Sequence, residues 1–220
     1  MAKIVPSKPL LILLYGYPGS GKTFFARQLC ENLQAVHVQG DRMRSELFST
    51  PTYNKEENHV VSSLMNYMAG EFLSAGVSVV YDTNAMRAAQ RHALRNMAVK
   101  AGAENVLVWF QVDPETAFAR ASRRDHRKSD DHYSRDMDMR TFDALNAGMQ
   151  NPTTLERYMV VSGKHVFNTQ KSAILRHLLD RGLINLDPGA GQIGKPGLVN
   201  LIPNPAAGRV DLSRRNIIIR

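Results

Sequence analysis

The stretch Gly16-Tyr17-Pro18-Gly19-Ser20-Gly21-Lys22-Thr23 is the strongest indicator of how this chain folds. An apolar run precedes it, and a segment with helical spacing of apolar residues follows it. Glycines let backbone amides surround phosphate oxygens, the next helix offers unpaired N–H groups, and the lysine reaches the β- and γ-phosphates. The stretch therefore predicts a phosphate-binding loop (P-loop) for a nucleoside triphosphate. Its predicted contacts are Gly16, Pro18, Gly19, Ser20, Gly21, Lys22 and Thr23, the last also as a ligand of Mg²⁺.

Apolar runs with β-strand character alternate with helical patterns along the chain. Helices are predicted directly after the loop and at 57–73, 87–100 and Pro114–Ala121. Such alternation is typical of a parallel sheet covered by helices on both faces. The predicted fold is a P-loop NTPase of the kinase type, a three-layer α/β/α domain with a five-stranded parallel sheet. The five predicted strands are Leu10–Tyr15, 36–39, 77–82, 105–112 and 164–168.

The domain organisation follows from changes in composition along the 220 residues. Residues 1–181 are predicted to form one kinase domain, in which the charge-dense segment 122–138 is a mobile lid. Residues 182–220 are rich in proline, glycine and basic residues, and they predict an irregular tail. Residues 171–220 carry 8 Lys and Arg against 3 Asp and Glu, so most of the net charge of +8 lies near this end.

Cysteine usage and hydropathy indicate the compartment. Cys30 is the only cysteine, which excludes an internal disulfide and suits a reducing compartment. No apolar run approaches the length of a membrane span, so no membrane partner is expected. A cytoplasmic protein is therefore predicted.

Asp82 ends the third predicted strand, at the sheet edge where ligands of open α/β sheets bind. A carboxylate there can hold Mg²⁺, directly or through water, beside Thr23. The alternative is an aspartate that only caps the next helix.

Asp41 and Arg44 follow the second predicted strand and therefore face the same crevice. Because they are three positions apart at the start of a helix, they share a face. Transfer of a phosphoryl group to a hydroxyl needs a group that accepts the proton of the hydroxyl and another that holds the acceptor. The alternative is a capping aspartate with a surface arginine.

Arg120 and Arg124 lie one helical turn apart near the predicted lid. Phosphoryl transfer spreads negative charge over three oxygens, and an arginine that closes over them stabilises the transition state. A solvated basic helix face is the alternative.

Together these motifs resemble the 5′-hydroxyl polynucleotide kinase and zeta-toxin group of P-loop kinases, and phage-type polynucleotide kinase more closely. The resemblance covers residues 10–150 and rests on four motifs in order. They are the Pro-Gly-Ser-Gly-Lys loop, Asp41-x-x-Arg44, Asp82-Thr83-Asn84, and Arg120-x-x-x-Arg124 ten residues after Phe110.

The resemblance implies a role for each matching residue. Asp41 would be the general base, Arg44 would contact the acceptor, and Arg124 would stabilise the transferring group. Lys22 and Thr23 would serve the phosphates and Mg²⁺, and the lid arginines and Arg140 would contact the nucleotide. The expected reaction is ATP-dependent transfer of the γ-phosphoryl group to a hydroxyl, with the 5′ end of a nucleic acid as the first acceptor.

Two other functions remain open at this point. A zeta-toxin-like or other small-molecule kinase would use the same loop and base on a nucleotide sugar or metabolite. A non-catalytic, ATP-dependent switch or adaptor would bind a partner through the basic tail.

Overall fold

The structure, a computed structural model, describes residues 3–83, 86–128 and 131–185. The predicted motif residue Asn84 and almost all of the predicted tail lie outside these residues. The described strands are β1 (Leu10–Tyr15), β2 (Ala35–Gln39), β3 (Ser78–Asp82), β4 (Glu104–Gln111) and β5 (Tyr158–Ser162). The described α-helices are α1 (Lys22–Asn32), α2 (Gly40–Leu47), α3 (Lys55–Ser74), α4 (Ala88–Lys100), α5 (Pro114–Ala121), α6 (Met139–Ala147) and α7 (Phe167–Asp180).

The five strands form one parallel sheet in the order β2-β3-β1-β4-β5. The P-loop strand β1 lies at the centre. In the register between β2 and β3, Gln39 is opposite Asp82, so both strands end at the same edge. The chain continues from Gln39 into α2 at this edge, which brings Asp41 close to the end of β3. The predicted α/β/α fold with five parallel strands is confirmed.

The core lies on both faces of the sheet because side chains of a strand alternate between faces. On β1, Leu10, Ile12 and Leu14 pack with α1 and α7, whereas Leu11 and Leu13 pack with α3 and α4. All of β1 is buried, as expected for a central parallel strand. The apolar run that precedes the P-loop is thus fully used in the core.

The prediction of a fifth strand at 164–168 is wrong. The strand is β5, Tyr158–Ser162, and α7 begins at Phe167. Met159 and Val161 pack on one face of the sheet and Tyr158 and Val160 on the other, the alternation that a covered edge strand requires. In the segment 164–168, by contrast, Val166 is 72% exposed and precedes the first turn of α7.

The other predicted elements occur within two residues of their expected bounds, and Pro114–Ala121 matches α5. Helix α3 begins at Lys55 because the Asn54 side chain accepts a hydrogen bond from the Glu57 amide and caps the first turn. Beyond α7, Leu183 and Ile184 are still buried in the core, so the packed part of the chain extends past Arg181.

The described parts of the segment 122–138 contain turns and no helix or strand. Ala121 accepts a backbone hydrogen bond from Met137, which closes the base of the segment at 3.2 Å. Met137 packs with Phe142 of α6 and with residues of α5. Among the described residues, no helix combines the length and apolar character needed to cross a bilayer.

Candidate functional site

The P-loop joins β1 to α1 with three glycines at positive φ, namely Gly16, Gly19 and Gly21. Gly19 is tightly enclosed, because a Cβ atom there would lie 2.1 Å from the carbonyl oxygen of Ala117 in α5. The loop is therefore wedged against α5, and only glycine allows this approach with φ at +80°. Thr23, the last residue of the motif, lines the cleft above the sheet.

Lys22, the first residue of α1, points back into the loop. Its Nζ donates hydrogen bonds to the carbonyls of Gly16 at 2.9 Å and Tyr17 at 2.8 Å. Burial lowers the pKa of Lys22 from 10.5 to about 8, despite the favourable charges of Asp82 and Asp41. A buried ammonium group with depressed pKa gains strongly from a polyphosphate, because the negative charge replaces lost hydration.

Asp82 is buried at the end of β3 and stays ionised. Burial raises its pKa, but a hydrogen bond and charge from His37, the charge of Lys22 and a hydrogen bond with Thr23 outweigh burial and lower it. His37 Nε2 lies 3.1 Å from Asp82 Oδ2. A buried carboxylate beside a hydroxyl offers the hard oxygen donors that Mg²⁺ prefers. The residues present therefore fit a magnesium ion bound jointly with nucleotide phosphates.

Asp41 lies in the first turn of α2, facing the same cleft. Burial raises the pKa of Asp41, and the negative charge of Asp82 raises it further. Arg124, a hydrogen bond from Ser134 and Arg44 act in the opposite direction. The two carboxylates thus differ, because Asp82 is held ionised and Asp41 has a raised affinity for a proton. A raised pKa suits a group that must accept a proton during the reaction.

Arg44 lines the cleft, is largely buried and is already paired. Its Nη1 donates to Glu57 Oε2 at 2.9 Å, and its Nη2 donates to Asn58 Oδ1 at 2.6 Å. Burial raises the pKa of Glu57, but hydrogen bonds from Thr52, Tyr53 and Arg44 outweigh it and lower the pKa to about 2. Arg44 Nε is buried and has no hydrogen-bond partner within the described structure.

The two lid arginines occupy different places. Arg124 lines the cleft, and its Nη1 contacts Asp131 Oδ1 at 3.2 Å. Arg120 Nη1 instead donates to the carbonyl of Gly163, at the end of β5, and Arg120 does not line the cleft. The cleft does include Arg140, from the first turn of α6. Arg124 and Arg140 are thus brought to the predicted site, and Arg120 lies beside it.

The cleft as a whole is a cavity of about 840 Å³ above the carboxyl edge of the sheet. Thr23 and Asp82 reach it from α1 and β3, and Asp41 and Arg44 reach it from α2. Its arginines outnumber its acids, which suits anionic ligands. The charged lining residues are Asp41, Arg44, Asp82, Arg87, Arg124, Arg135, Asp138 and Arg140.

Most lining residues have no place in the sequence motifs, and Tyr53, Arg135 and Met137 are among them. Ser134, whose hydroxyl contacts Asp41, was not indicated either. The only local signal near them is the pair Asn54 and Glu57, whose spacing is typical of a helix start. Contacts between the segment 122–138 and the α2–α3 region depend on tertiary packing, which no short motif encodes.

The fold and the loop define the class, a P-loop nucleotide-binding α/β/α domain of the kinase type. A family model described as an AAA domain matches residues 11–152, more than half of the chain. The chain therefore belongs to this AAA domain family.

Curated relatives resemble part of the chain. Sulfate adenylyltransferases of Neosartorya fischeri and Aspergillus fumigatus are each 33% identical to it over 103 residues. The match covers 44% of this chain, and the chain spans only 18% of the length of each enzyme.

Solved kinase structures share the fold. APS kinase CysC of Mycobacterium tuberculosis, in complex with AMPPNP and APS, aligns with a TM-score of 0.56 and 17% identity, over 79% of this chain and 99% of CysC. A gluconokinase of Sinorhizobium meliloti aligns with a TM-score of 0.53 and 16% identity, over 79% of this chain and 97% of its own. At such identities the likeness concerns the fold alone.

Proposed function

We propose that this protein is an ATP-dependent kinase that transfers the γ-phosphoryl group to a hydroxyl acceptor. One observation carries the proposal, namely that Asp41 shares a single cleft with Thr23, Asp82 and Arg124. Asp41 comes from α2 and the other three come from different elements, so the cleft joins a phosphate site to a proton acceptor. Both parts are needed for transfer to an alcohol.

Each side chain has a defined task in this reaction. The P-loop amides and Lys22 bind the β- and γ-phosphates, and Arg124 faces the charge that develops on the transferring group. Asp41 takes the proton of the acceptor hydroxyl as its oxygen bonds to phosphorus. Mg²⁺, held by Thr23 and Asp82 with the phosphates, would neutralise phosphate charge when bound. Arg140 is the further predicted nucleotide contact, and Arg120 would support the nucleotide side through the end of β5.

The first candidate acceptor is the 5′-hydroxyl of a polynucleotide. The motif Asp41-x-x-Arg44 supports it, and so does the excess of arginines in the cleft, because a nucleic acid carries a phosphate near its terminal hydroxyl. Arg44 Nε and Arg124 Nε are both buried in the described part of the chain without a hydrogen-bond partner. An anionic acceptor and the donor phosphates would supply acceptors for such donors.

A small anionic acceptor is the second candidate. Its support is the identity shared with sulfate adenylyltransferases and the fold shared with APS kinase, whose structure holds APS. In addition, Ser134 of the segment 122–138 contacts Asp41, so this segment covers part of the predicted base. A nucleotide-sized acceptor fits under such a cover more readily than a long strand.

The test is a transfer assay with γ-labelled ATP and a panel of acceptors. The panel contains 5′-hydroxyl oligonucleotides of RNA and DNA, adenylyl sulfate, a nucleotide sugar and gluconate. Label on oligonucleotides alone supports the first candidate, and label on a nucleotide-sized acceptor alone supports the second. ATP hydrolysis with no labelled acceptor, in the panel or in a metabolite extract, would favour the switch or adaptor and reject the kinase.

A further inference from the structure

Tyr53 lies between two guanidinium groups at the acceptor side of the cleft. Arg44 Cζ is 4.6 Å from the centre of the Tyr53 ring, and Arg135 Cζ is 4.5 Å from it. The three residues come from α2, from the connection between α2 and α3, and from the segment 122–138. Such contacts orient a planar guanidinium on an aromatic face. Tyr53 therefore couples the segment 122–138 to the wall of the cleft.

The position of Tyr53 is built into the backbone. Its φ of 58° lies in the left-handed region, which is unfavourable for a bulky residue. The carboxylate of Glu57 accepts a hydrogen bond of 2.7 Å from the Tyr53 amide, and the Tyr53 carbonyl accepts one from Asn58 at 3.1 Å. The surrounding contacts thus hold a strained residue in place, and such residues cluster at functional sites.

Arg135 differs from the other buried or half-buried arginines of the cleft in its charge balance. Arg44 is paired with Glu57, and Arg124 is paired with Asp131. For Arg135, none of the carboxylates in residues 3–83, 86–128 and 131–185 lies within ion-pair distance. Its charge helps to lower the pKa of Asp138, but no hydrogen bond within the described ranges occupies its guanidinium. The guanidinium therefore retains hydrogen-bonding capacity for an anion.

The place of Arg135 next to Ser134 locates this charge relative to the reaction. Ser134 Oγ contacts Asp41 Oδ2, so Arg135 projects from the residue next to the one that contacts the predicted base. It stacks on Tyr53, which precedes α3, whereas Thr23, the residue of the P-loop motif that lines the cleft, comes from α1. An anion held by Arg135 would therefore belong to the acceptor and would lie close to its reacting hydroxyl.

We propose that Arg135, positioned by the Tyr53 ring, is a specificity-determining residue that binds a phosphate adjacent to the acceptor hydroxyl. The proposal rests on the function proposed above, and it specifies that the acceptor is a phosphate ester rather than a neutral sugar. Tyr53 acts as a positioning residue, because it orients the guanidinium and does not itself need to touch the acceptor.

The experiment measures binding, so that it does not depend on turnover. Two dinucleotides with a 5′-hydroxyl are titrated into protein saturated with a non-hydrolysable ATP analogue. One has a phosphodiester linkage, and the other has an uncharged methylphosphonate linkage. We expect the wild type to bind the charged dinucleotide about 10- to 100-fold more tightly, as hydrogen bonds to ionised groups suggest.

The variant Arg135→Gln should bind both dinucleotides equally. The substitution in the protein and the uncharged linkage in the ligand remove the same interaction, so their effects are not additive. Arg123→Gln is the matched control, since it removes the same charge from an exposed position of the same segment, outside the cleft. This control should keep the preference of the wild type. Tyr53→Leu should weaken the preference and Tyr53→Phe should keep it, because phenylalanine retains the ring.

Several results would overturn the proposal. If the wild type binds both dinucleotides equally, or binds neither, the protein does not recognise the phosphate. If Arg135→Gln is folded by circular dichroism and still prefers the charged dinucleotide, a residue other than Arg135 binds the phosphate. A loss of affinity for the ATP analogue in Arg135→Gln would place Arg135 on the donor side.

The binding experiment tests the role of Arg135 separately from the proposed kinase activity, which the transfer assay tests. If the wild type prefers the charged dinucleotide and Arg135→Gln does not, the result supports Arg135 as the phosphate anchor, that is, the residue that binds the acceptor phosphate. This holds even where the transfer assay finds no labelled acceptor. Transfer to a neutral sugar alone would support a kinase and reject the anchor.

Discussion

Ser134 Oγ donates a hydrogen bond of 3.3 Å to Asp41 Oδ2. The donor lies in the charge-dense segment that follows α5, and the acceptor lies in the first turn of α2. The contact therefore joins the segment 122–138, called the covering segment below, to the predicted base. It lowers the pKa of Asp41, which burial and the charge of Asp82 raise. It gives the covering segment a means to adjust the protonation of Asp41.

Ser134→Ala should move the acidic limb of the pH profile of kcat/KM to higher pH. Removing the hydroxyl removes an interaction that lowers the pKa of Asp41, so the carboxylate becomes protonated at a higher pH. The rate well above this limb should be nearly unchanged. Ser45→Ala, on the exposed face of α2, is the control and should keep the wild-type profile. A coincident profile for Ser134→Ala would remove this role from Ser134.

Asp41→Asn should reduce transfer about 10²- to 10⁴-fold, the usual contribution of a general base. Asparagine keeps the shape of the side chain but cannot take the proton. Because Asp41 comes from α2 and is not part of the P-loop, the affinity for a non-hydrolysable ATP analogue should be nearly unchanged. The measurements are single-turnover transfer and calorimetric titration of the analogue. Turnover at the wild-type rate would exclude Asp41 from the mechanism.

Lys22→Met should increase the stability of the nucleotide-free protein at pH 7. Burial lowers the pKa of Lys22 to about 8, so the folded state binds fewer protons than the unfolded state between pH 8 and 10.5. The contribution of Lys22 to the free energy of unfolding therefore rises with pH through that window, and it is lowest below pH 8. The shift corresponds to about 3 kcal/mol, and methionine removes the charge while filling the space.

The test of this prediction is urea unfolding of both proteins at pH 7 and pH 10. The advantage of Lys22→Met should shrink at the higher pH, and its affinity for ATP should fall at both. If the two proteins differ in free energy of unfolding by the same amount at both pH values, burial does not depress the pKa of Lys22.

Gly19→Ala should destabilise the loop far more than Gly76→Ala. Both glycines have φ near +80°, so both substitutions carry the same backbone cost, about 1–2 kcal/mol. At Gly19 the new Cβ atom would also meet the Ala117 carbonyl oxygen, whereas at Gly76 nothing lies within 4 Å. Thermal unfolding and ATP-analogue affinity check this, and ATP affinity should fall only for Gly19→Ala. Equal effects of the two substitutions would mean that α5 moves freely away from the loop.

Much of the site can be predicted from the sequence because its parts lie at ends of strands. The P-loop, Asp41 and Asp82 each follow an apolar run directly, and parallel strands carry their carboxyl ends to one edge. The fifth strand shows the limit of this reasoning. Residues 158–162 and 164–168 both contain short apolar patterns, and only burial against both sheet faces distinguishes the real strand.

The class of fold and the P-loop can be predicted from the amino-acid sequence alone, because they depend on the local spacing of apolar residues and glycines. Which side chains contact Asp41, and which arginines line the cleft, became known from the three-dimensional packing. Ser134, Tyr53 and Arg135 meet at Asp41 and beside α2 through contacts between segments far apart in the chain. Arg120 turns to the end of β5 instead. Such pairings depend on how helices and connections pack over the sheet, and that packing is a property of the whole domain.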